Sequence, residues 1–368
     1  MTKALFDQTK LGMITLKNRV VMAPMTRARA PNTIADAQTA LYYQQRASAG
    51  LIVTEGTPVS REGQGFVAVP GIWSEPQIKG WAAVTDAVHQ DGGVIFAQLW
   101  HVGRVSHTSL QPDGRAPVSA SAKPATDPRA APFAIREDGT AGFVPASVPR
   151  PLETDEVRRV VSDFADAAAN AQRAEFDGVE LHGANGYLFE QFLNPLVNER
   201  QDRYGVTLEG RARFLLEAVD AVVARIGSDK VAIRLSPFGQ VSDMPAYDET
   251  TETYLYLAQA LSERKLAYVH LMDQQQFGSP IPADFLAQMR AAYAGTLILA
   301  GGLTLASATD LVTQDLIDLA AFGQPFISNP DLVDRFRRGA ALTPAVRETF
   351  FGGGAEGYTS YPKAQIAA

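Results

Sequence analysis

Short apolar runs rich in β-formers alternate with longer helical patterns about eight times along this 368-residue chain. The strand candidates are Val20–Ala23, Leu51–Glu55, Val94–Leu99, Gly178–Leu181, Val231–Ser236, Tyr268–Met272, Leu297–Ala300 and Leu319–Phe322. Helix candidates follow them: Thr39–Ala49, Glu75–Gln90, Thr154–Glu175, Leu208–Ile226, Thr250–Arg264, Ala283–Tyr293, Leu305–Val312 and Asp331–Arg337. The strands are unbroken apolar runs, as expected where both faces of a parallel sheet are covered. Eight such units in this length predict an α/β fold, a (β/α)8 TIM barrel built as one domain over residues 1–368. An open doubly wound sheet would need a glycine-rich loop after its first strand, and Met22-Ala-Pro-Met-Thr-Arg27 has no glycine.

Two pieces fall outside the repeat. Leu11 to Asn18 alternates around a turn and predicts a small hairpin that caps the N-terminal end of the barrel. Residues 109–151 form a long insertion after the third strand, with eight prolines from Pro112 to Pro151. A loop of this length in a compact fold is functional or disordered. Its position predicts a lid over the barrel mouth, and a solvated insertion is the other reading.

Composition excludes several classes. Net charge is -7 with no basic run, which argues against nucleic acid or an anionic membrane as partner. There is no cysteine, so thiol catalysis and thiolate metal sites are ruled out. No stretch approaches the roughly 20 apolar residues of a membrane helix, and Met1 to Arg19 lacks an apolar signal core. A soluble, cytoplasmic protein is expected.

In a parallel barrel the chemistry sits just past the C-terminal ends of the strands. Those positions hold Pro24, Met25 and Thr26 after the first strand, then Gly56 and Thr57 after the second. Gln98, Trp100 and His101 close the third, and the fifth carries Arg234. The fourth runs into Gly178-Val-Glu-Leu-His-Gly-Ala-Asn-Gly-Tyr-Leu188, where two glycines break the chain and His182, Asn185 and Tyr187 supply three proton or hydrogen-bond donors. A polar loop that caps the next helix is the plain alternative. Gly301-Gly302 on the seventh strand and Gly323-Gln324 on the eighth occupy the usual phosphate corner of a barrel. Thr26, Gln98 and Arg234 suit the polar edge of a planar heterocycle, or a network among themselves.

Several longer motifs resemble one family from end to end. These are Asn18-Arg-Val-Val-Met-Ala-Pro-Met-Thr-Arg27, Tyr43 to Gly50, Ala97-Gln-Leu-Trp-His101, His182 to Tyr187 with Phe192-Leu-Asn-Pro195, and Asn329-Pro-Asp-Leu332. The chain resembles the Old Yellow Enzymes, FMN-dependent ene-reductases built on a (β/α)8 barrel. That resemblance implies Pro24, Met25, Thr26, Gly56, Gln98 and Arg234 around the flavin ring, and Gly302, Leu303, Gly323 and Gln324 around its phosphate. It implies that His182 and Asn185 bind a carbonyl oxygen while Tyr187 donates a proton. The implied reaction is ping-pong: NAD(P)H reduces FMN, which then reduces the C=C bond of an α,β-unsaturated carbonyl compound. Phe66, Trp100 and Phe351 would line the substrate pocket, or serve as packing alone. A monomer or homodimer is expected. The chain departs from the family at Gln324, where an arginine usually meets the phosphate. Arg335 or Arg337 would be the compensating cation, or the protein would hold FMN weakly and act mainly in ligand binding.

Overall fold

The computed structural model describes residues 4–364, so the outermost residues of the expected 1–368 span, Lys3 among them, lie outside it. Eight parallel strands close into a barrel. They are β1 (Val20–Met22), β2 (Leu51–Pro58), β3 (Ile95–Trp100), β4 (Gly178–Gly183), β5 (Val231–Leu235), β6 (Tyr268–Met272), β7 (Leu297–Ala300) and β8 (Leu319–Phe322). β8 pairs with β1 in parallel through Ala320–Val20 and Phe322–Met22, which completes the ring. Around it lie α1 (Ala37–Gln44), α2 (Glu75–Gln90), α3 (Thr154–Arg173), α4 (Leu208–Ile226), α5 (Thr250–Glu263), α6 (Ala283–Ala292), α7 (Leu305–Thr313) and α8 (Leu332–Arg338). Among the described residues no helix is long and apolar enough to cross a membrane.

The apolar runs are buried as their pattern requires. Every residue of β2, β3 and β4 is buried, including the polar ones. The predicted hairpin forms: Thr9–Leu11 pairs antiparallel with Ile14–Leu16, burying Leu11 and Leu16.

Most elements end within two residues of the sequence reading, and three of the differing boundaries have a tertiary reason. β2 runs on to Pro58, because a register shift between Val53 and Gly56 lets it keep pairing with β3. β4 runs on to Gly183, so His182 is a strand residue opposite Arg234 and not a turn residue. α1 stops at Gln44, five residues before the expected end at Ala49. There Arg46 turns inward and donates to the carbonyls of Phe326 and Ile327.

The insertion carries folded elements, although much of its length is exposed. Phe133–Ile135 and Ala141–Phe143 pair as a hairpin, and Phe133 bridges to Phe66. Val118–Ser119 pairs in parallel with Arg150–Pro151 and closes its base. The C-terminal segment is drawn back over the same end. Arg27 donates to the carbonyls of Thr349, Phe350 and Gly357, which sets Phe351 beside the mouth.

Candidate active site

Glycine is required where the walls meet. A Cβ on Gly56 would lie 2.4 Å from the Trp100 ring, so only glycine lets that indole lie against β2. Trp100 then forms the floor for the fourth-strand residues. Its ring stacks near His182 at 6.1 Å and meets Tyr187 edge-on at 4.9 Å, and Tyr187 in turn lies edge-on to His182 at 5.0 Å.

The hydrogen bonds fix what each side chain can offer. His182 Nδ1 accepts from the Ala184 amide at 3.3 Å. Burial, reinforced by the charges of Arg234 and His270, holds the imidazole well below its ordinary value. The ring is therefore neutral at physiological pH, and its one proton sits on Nε2 as a donor. Asn185 is oriented through Gln274, whose Oε1 accepts from the Gln240 and Val241 amides at 2.9 and 3.0 Å. That leaves Gln274 Nε2 to donate to Asn185 Oδ1 at 3.1 Å. Asn185 must then present its Nδ2 hydrogens elsewhere. Both His182 and Asn185 are thus hydrogen-bond donors, and Tyr187 adds a phenol that burial pushes up from its ordinary value and keeps protonated.

A second polar group lies deeper in the barrel. Glu180 is fully buried and accepts from Gln98 Nε2 at 2.8 Å, with His270 Nδ1 also at 2.8 Å from its carboxylate. Burial pushes Glu180 up, but His270 and Arg234 outweigh it and hold the carboxyl below its usual value. An ionised carboxylate only accepts, so Gln98 must turn its NH2 toward it and its Oε1 toward the mouth. Arg234 is 4% exposed, and among the described residues its Nε has no hydrogen-bond partner. Its Nη2 meets only the Met272 sulfur, at 3.2 Å. A buried guanidinium left with an idle donor fits a ligand that brings its own acceptors.

The remaining predicted residues collect at the same mouth. Pro24, Met25 and Thr26 are half-buried just past β1. Gly301 and Gly302 take φ of 115° and 64°, and a Cβ on Gly301 would sit 1.9 Å from the Asp273 carbonyl. Among the described residues the amides of Gly302 and Leu303 meet no acceptor. Gly323 precedes a short helix, Gln324–Ser328, which places Gln324 exposed on its first turn. Neither expected compensating cation is available there. Arg335 is bound to Asp331 at 2.8 Å, and Arg337 lies over the Phe6 ring.

Phe66, Trp100 and Phe351 do assemble, with Phe66 5.5 Å from Trp100 and 6.2 Å from Phe351. Two further rings join them that the sequence reading missed. Phe133 and Phe143 of the insertion lie 5.9 and 5.4 Å from Phe351. Glu180, Gln274 and His270 were also missed. Glu180 was legible in one respect, as a charged residue inside an apolar strand run.

A closed parallel barrel with glycine turns after its last two strands and polar side chains at its strand ends has the architecture of a barrel enzyme. Residues 4–343 match the NADH:flavin oxidoreductase / NADH oxidase family. The chain is 43% identical over 372 residues to a putative 12-oxophytodienoate reductase 11 of Oryza sativa subsp. japonica, covering 98% of each. It is 41% identical to 12-oxophytodienoate reductase 2 of Arabidopsis thaliana, over 98% of this chain and 95% of that one. Among solved structures, morphinone reductase superposes with a TM-score of 0.96 at 46% identity, over 99% of this chain and 97% of that one. The old yellow enzyme homologue of Zymomonas mobilis gives 0.92 at 38% identity, over 98% and 100%. The chain belongs to the NADH:flavin oxidoreductase family, the Old Yellow Enzymes, and is an oxidoreductase.

One buried carboxyl beside the site has a measurable consequence for stability. Glu55 on β2 accepts from the Arg27 amide at 3.1 Å, yet burial outweighs that bond and pushes the carboxyl up from 4.5 to about 7. The folded state then holds a proton that the unfolded state has released between those values. Stability attributable to Glu55 therefore falls as pH rises through this window, by about 3 kcal/mol in all. Denaturant unfolding at pH 5 and pH 8 should show a smaller loss in Glu55→Gln than in the wild type. An equal loss in both proteins would refute this assignment.

Proposed function

We propose that this protein is an FMN-dependent ene-reductase that uses NAD(P)H to reduce the C=C bond of α,β-unsaturated carbonyl compounds, enones, enals and maleimides among them. The observation that carries the reading is the pair of enforced donors, His182 Nε2–H and Asn185 Nδ2–H, beside a protonated Tyr187. Two N–H donors suit one carbonyl oxygen, and binding it there draws electron density from the β-carbon. Tyr187 holds the proton that the α-carbon needs.

Pro24, Met25, Thr26, Gly56 and Gln98 would hold the isoalloxazine, and Gly302, Leu303, Gly323 and Gln324 the phosphate. FMN bound there supplies the hydride relay between nicotinamide and substrate. Arg234 offers its idle Nε and its charge to the electron-rich edge of that ring. The structure of morphinone reductase in complex with tetrahydroNAD supports a nicotinamide donor for this family. The aromatic walls, Phe66, Trp100 and Phe351 with Phe133 and the more exposed Phe143, would favour apolar substituents.

The test is oxidation of NADH and NADPH with 2-cyclohexenone and with a maleimide, with and without added FMN. A protein that stays colourless after FMN is supplied, or that shows no enone-dependent turnover, would sink the reading.

Gln324 supports a weaker hold on the phosphate. Its amide can donate but brings no charge. Gln324→Arg is expected to tighten FMN about tenfold and to make the affinity more salt-dependent. Fluorescence titration of the apoprotein with FMN reads both. An unchanged dissociation constant would mean that the charge at this corner comes from elsewhere.

A further inference from the structure

Glu190 is a buried carboxylate that the proposed chemistry does not use. It lies on the short helix Leu188–Leu193, just after Tyr187, and is 4% exposed. Hydroxyls and an amide converge on it. Ser236 Oγ donates to Oε1 at 2.7 Å, Tyr254 donates to the same oxygen at 2.6 Å, and the Gly186 amide donates to Oε2. Ser236 Oγ in turn accepts from the Asn185 amide at 2.8 Å. Both amides of the Asn185-Gly186 turn are thus tied, directly or through one hydroxyl, to a single carboxylate. That turn needs tying. Asn185 and Gly186 both sit at positive φ, 59° and 75°, a conformation that asparagine tolerates better than most residues but that still costs something outside glycine.

We propose that Glu190 is the positioning residue of the carbonyl site: through the Gly186 amide and Ser236 it sets where Asn185 and Tyr187 stand. The inference rests on the ene-reductase reading given above. It also assigns a state to the group. All three surrounding donors point at the carboxylate, so the ionised form satisfies the turn. A protonated Glu190 must instead donate, and whichever of Ser236 Oγ and the Tyr254 hydroxyl accepts that proton must turn its own away from the carboxyl. For Tyr254 the Ser236 carbonyl, at 3.5 Å, is the alternative acceptor, and either exchange releases part of the anchor.

The surroundings allow that exchange near neutral pH. Burial outweighs the three donors and pushes the carboxyl up to about 7. A cavity of about 110 Å³, lined by Glu190, Ser236, Asn194, Tyr247 and Tyr254, has room for water that can carry the proton. The titratable groups facing Glu190 are Tyr254 on α5 and Tyr247 before it. Burial raises both, so they remain neutral in this range. Arg211 on α4 is engaged with the carbonyls of Leu193 and Val206.

The experiment compares FMN-loaded wild type, Glu190→Gln and Ser236→Ala after reduction by NAD(P)H. Reoxidation by dioxygen, which needs no carbonyl contact, is the reference rate for each protein. The ratio of 2-cyclohexenone to dioxygen reoxidation is expected to fall about tenfold in both variants, the scale of one lost charge-assisted hydrogen bond. In the wild type that ratio should drop as pH falls through about 7, and in Glu190→Gln the pH dependence should vanish. Wild-type ratios and profiles in both variants would overturn the proposal, as would equal slowing toward enone and dioxygen. Wild type that the enone cannot reoxidise at all would instead defeat the ene-reductase reading, and this inference with it.

Discussion

Tyr187→Phe is expected to slow enone reduction by about a hundred- to ten-thousand-fold, the usual contribution of a placed general acid. The ring contacts should survive, because phenylalanine can still meet Trp100 edge-on at 4.9 Å and His182 at 5.0 Å. FMN content and the rate of reduction by NAD(P)H should therefore stay close to wild type. Stopped-flow separation of the two half-reactions is the measurement. The wild-type profile carries a second expectation. Burial pushes the phenol upward, opposed by the Arg234 charge, so the proton is retained well into the alkaline range. No loss of turnover assignable to Tyr187 should appear between pH 7 and pH 9. A Tyr187→Phe enzyme with full enone activity would remove Tyr187 from the chemistry, whatever the family.

Arg234→Met should cost about a hundred- to thousand-fold in the rate of flavin reduction, the scale of removing one preorganised donor from a developing charge. Methionine fills much of the same volume but takes away both the charge and the idle Nε. Glu180 keeps Gln98 and His270, so the barrel interior should not collapse. His182 should respond as well. Burial is the main reason its imidazole stays neutral and Arg234 is the second, so without Arg234 its titration moves up. Arg234→Lys restores charge without the planar fork and should recover only part of the rate. Rapid reduction kinetics and the FMN content of the purified variants check this. Full FMN and a wild-type reduction rate in Arg234→Met would show that the guanidinium serves only to balance Glu180.

The barrel was legible because its signal is local. An unbroken apolar run such as Leu297–Ala300 followed by an amphipathic stretch reads the same wherever it lies in the chain. The positions past the strand ends could be found for the same reason, and His182, Gln98, Arg234 and the glycine turns all reach one mouth. The aromatic wall was only half legible. Phe66 and Phe351 were expected from the family resemblance, whereas Phe133 and Phe143 sit in an insertion whose sequence has no regular period. They matter only because the insertion folds back and Phe133 bridges to Phe66. Arg335 and Arg337 illustrate the converse. Their charge suggested a phosphate partner, but α8 directs them to Asp331 and Phe6.

By itself the sequence determined the number and order of strand–helix units, the apolar character of the strands and the side chains available at their ends. Those follow from periodicity and composition, which depend on near neighbours along the chain. Tertiary structure alone decided what each side chain can do. Asn185 is a donor because Gln274, 89 residues away, turns its amide. Gln98 turns its Oε1 away from Glu180 because Glu180, 82 residues away, takes its NH2. Direction in a hydrogen bond belongs to the pair, and the pairs exist only once the barrel has closed.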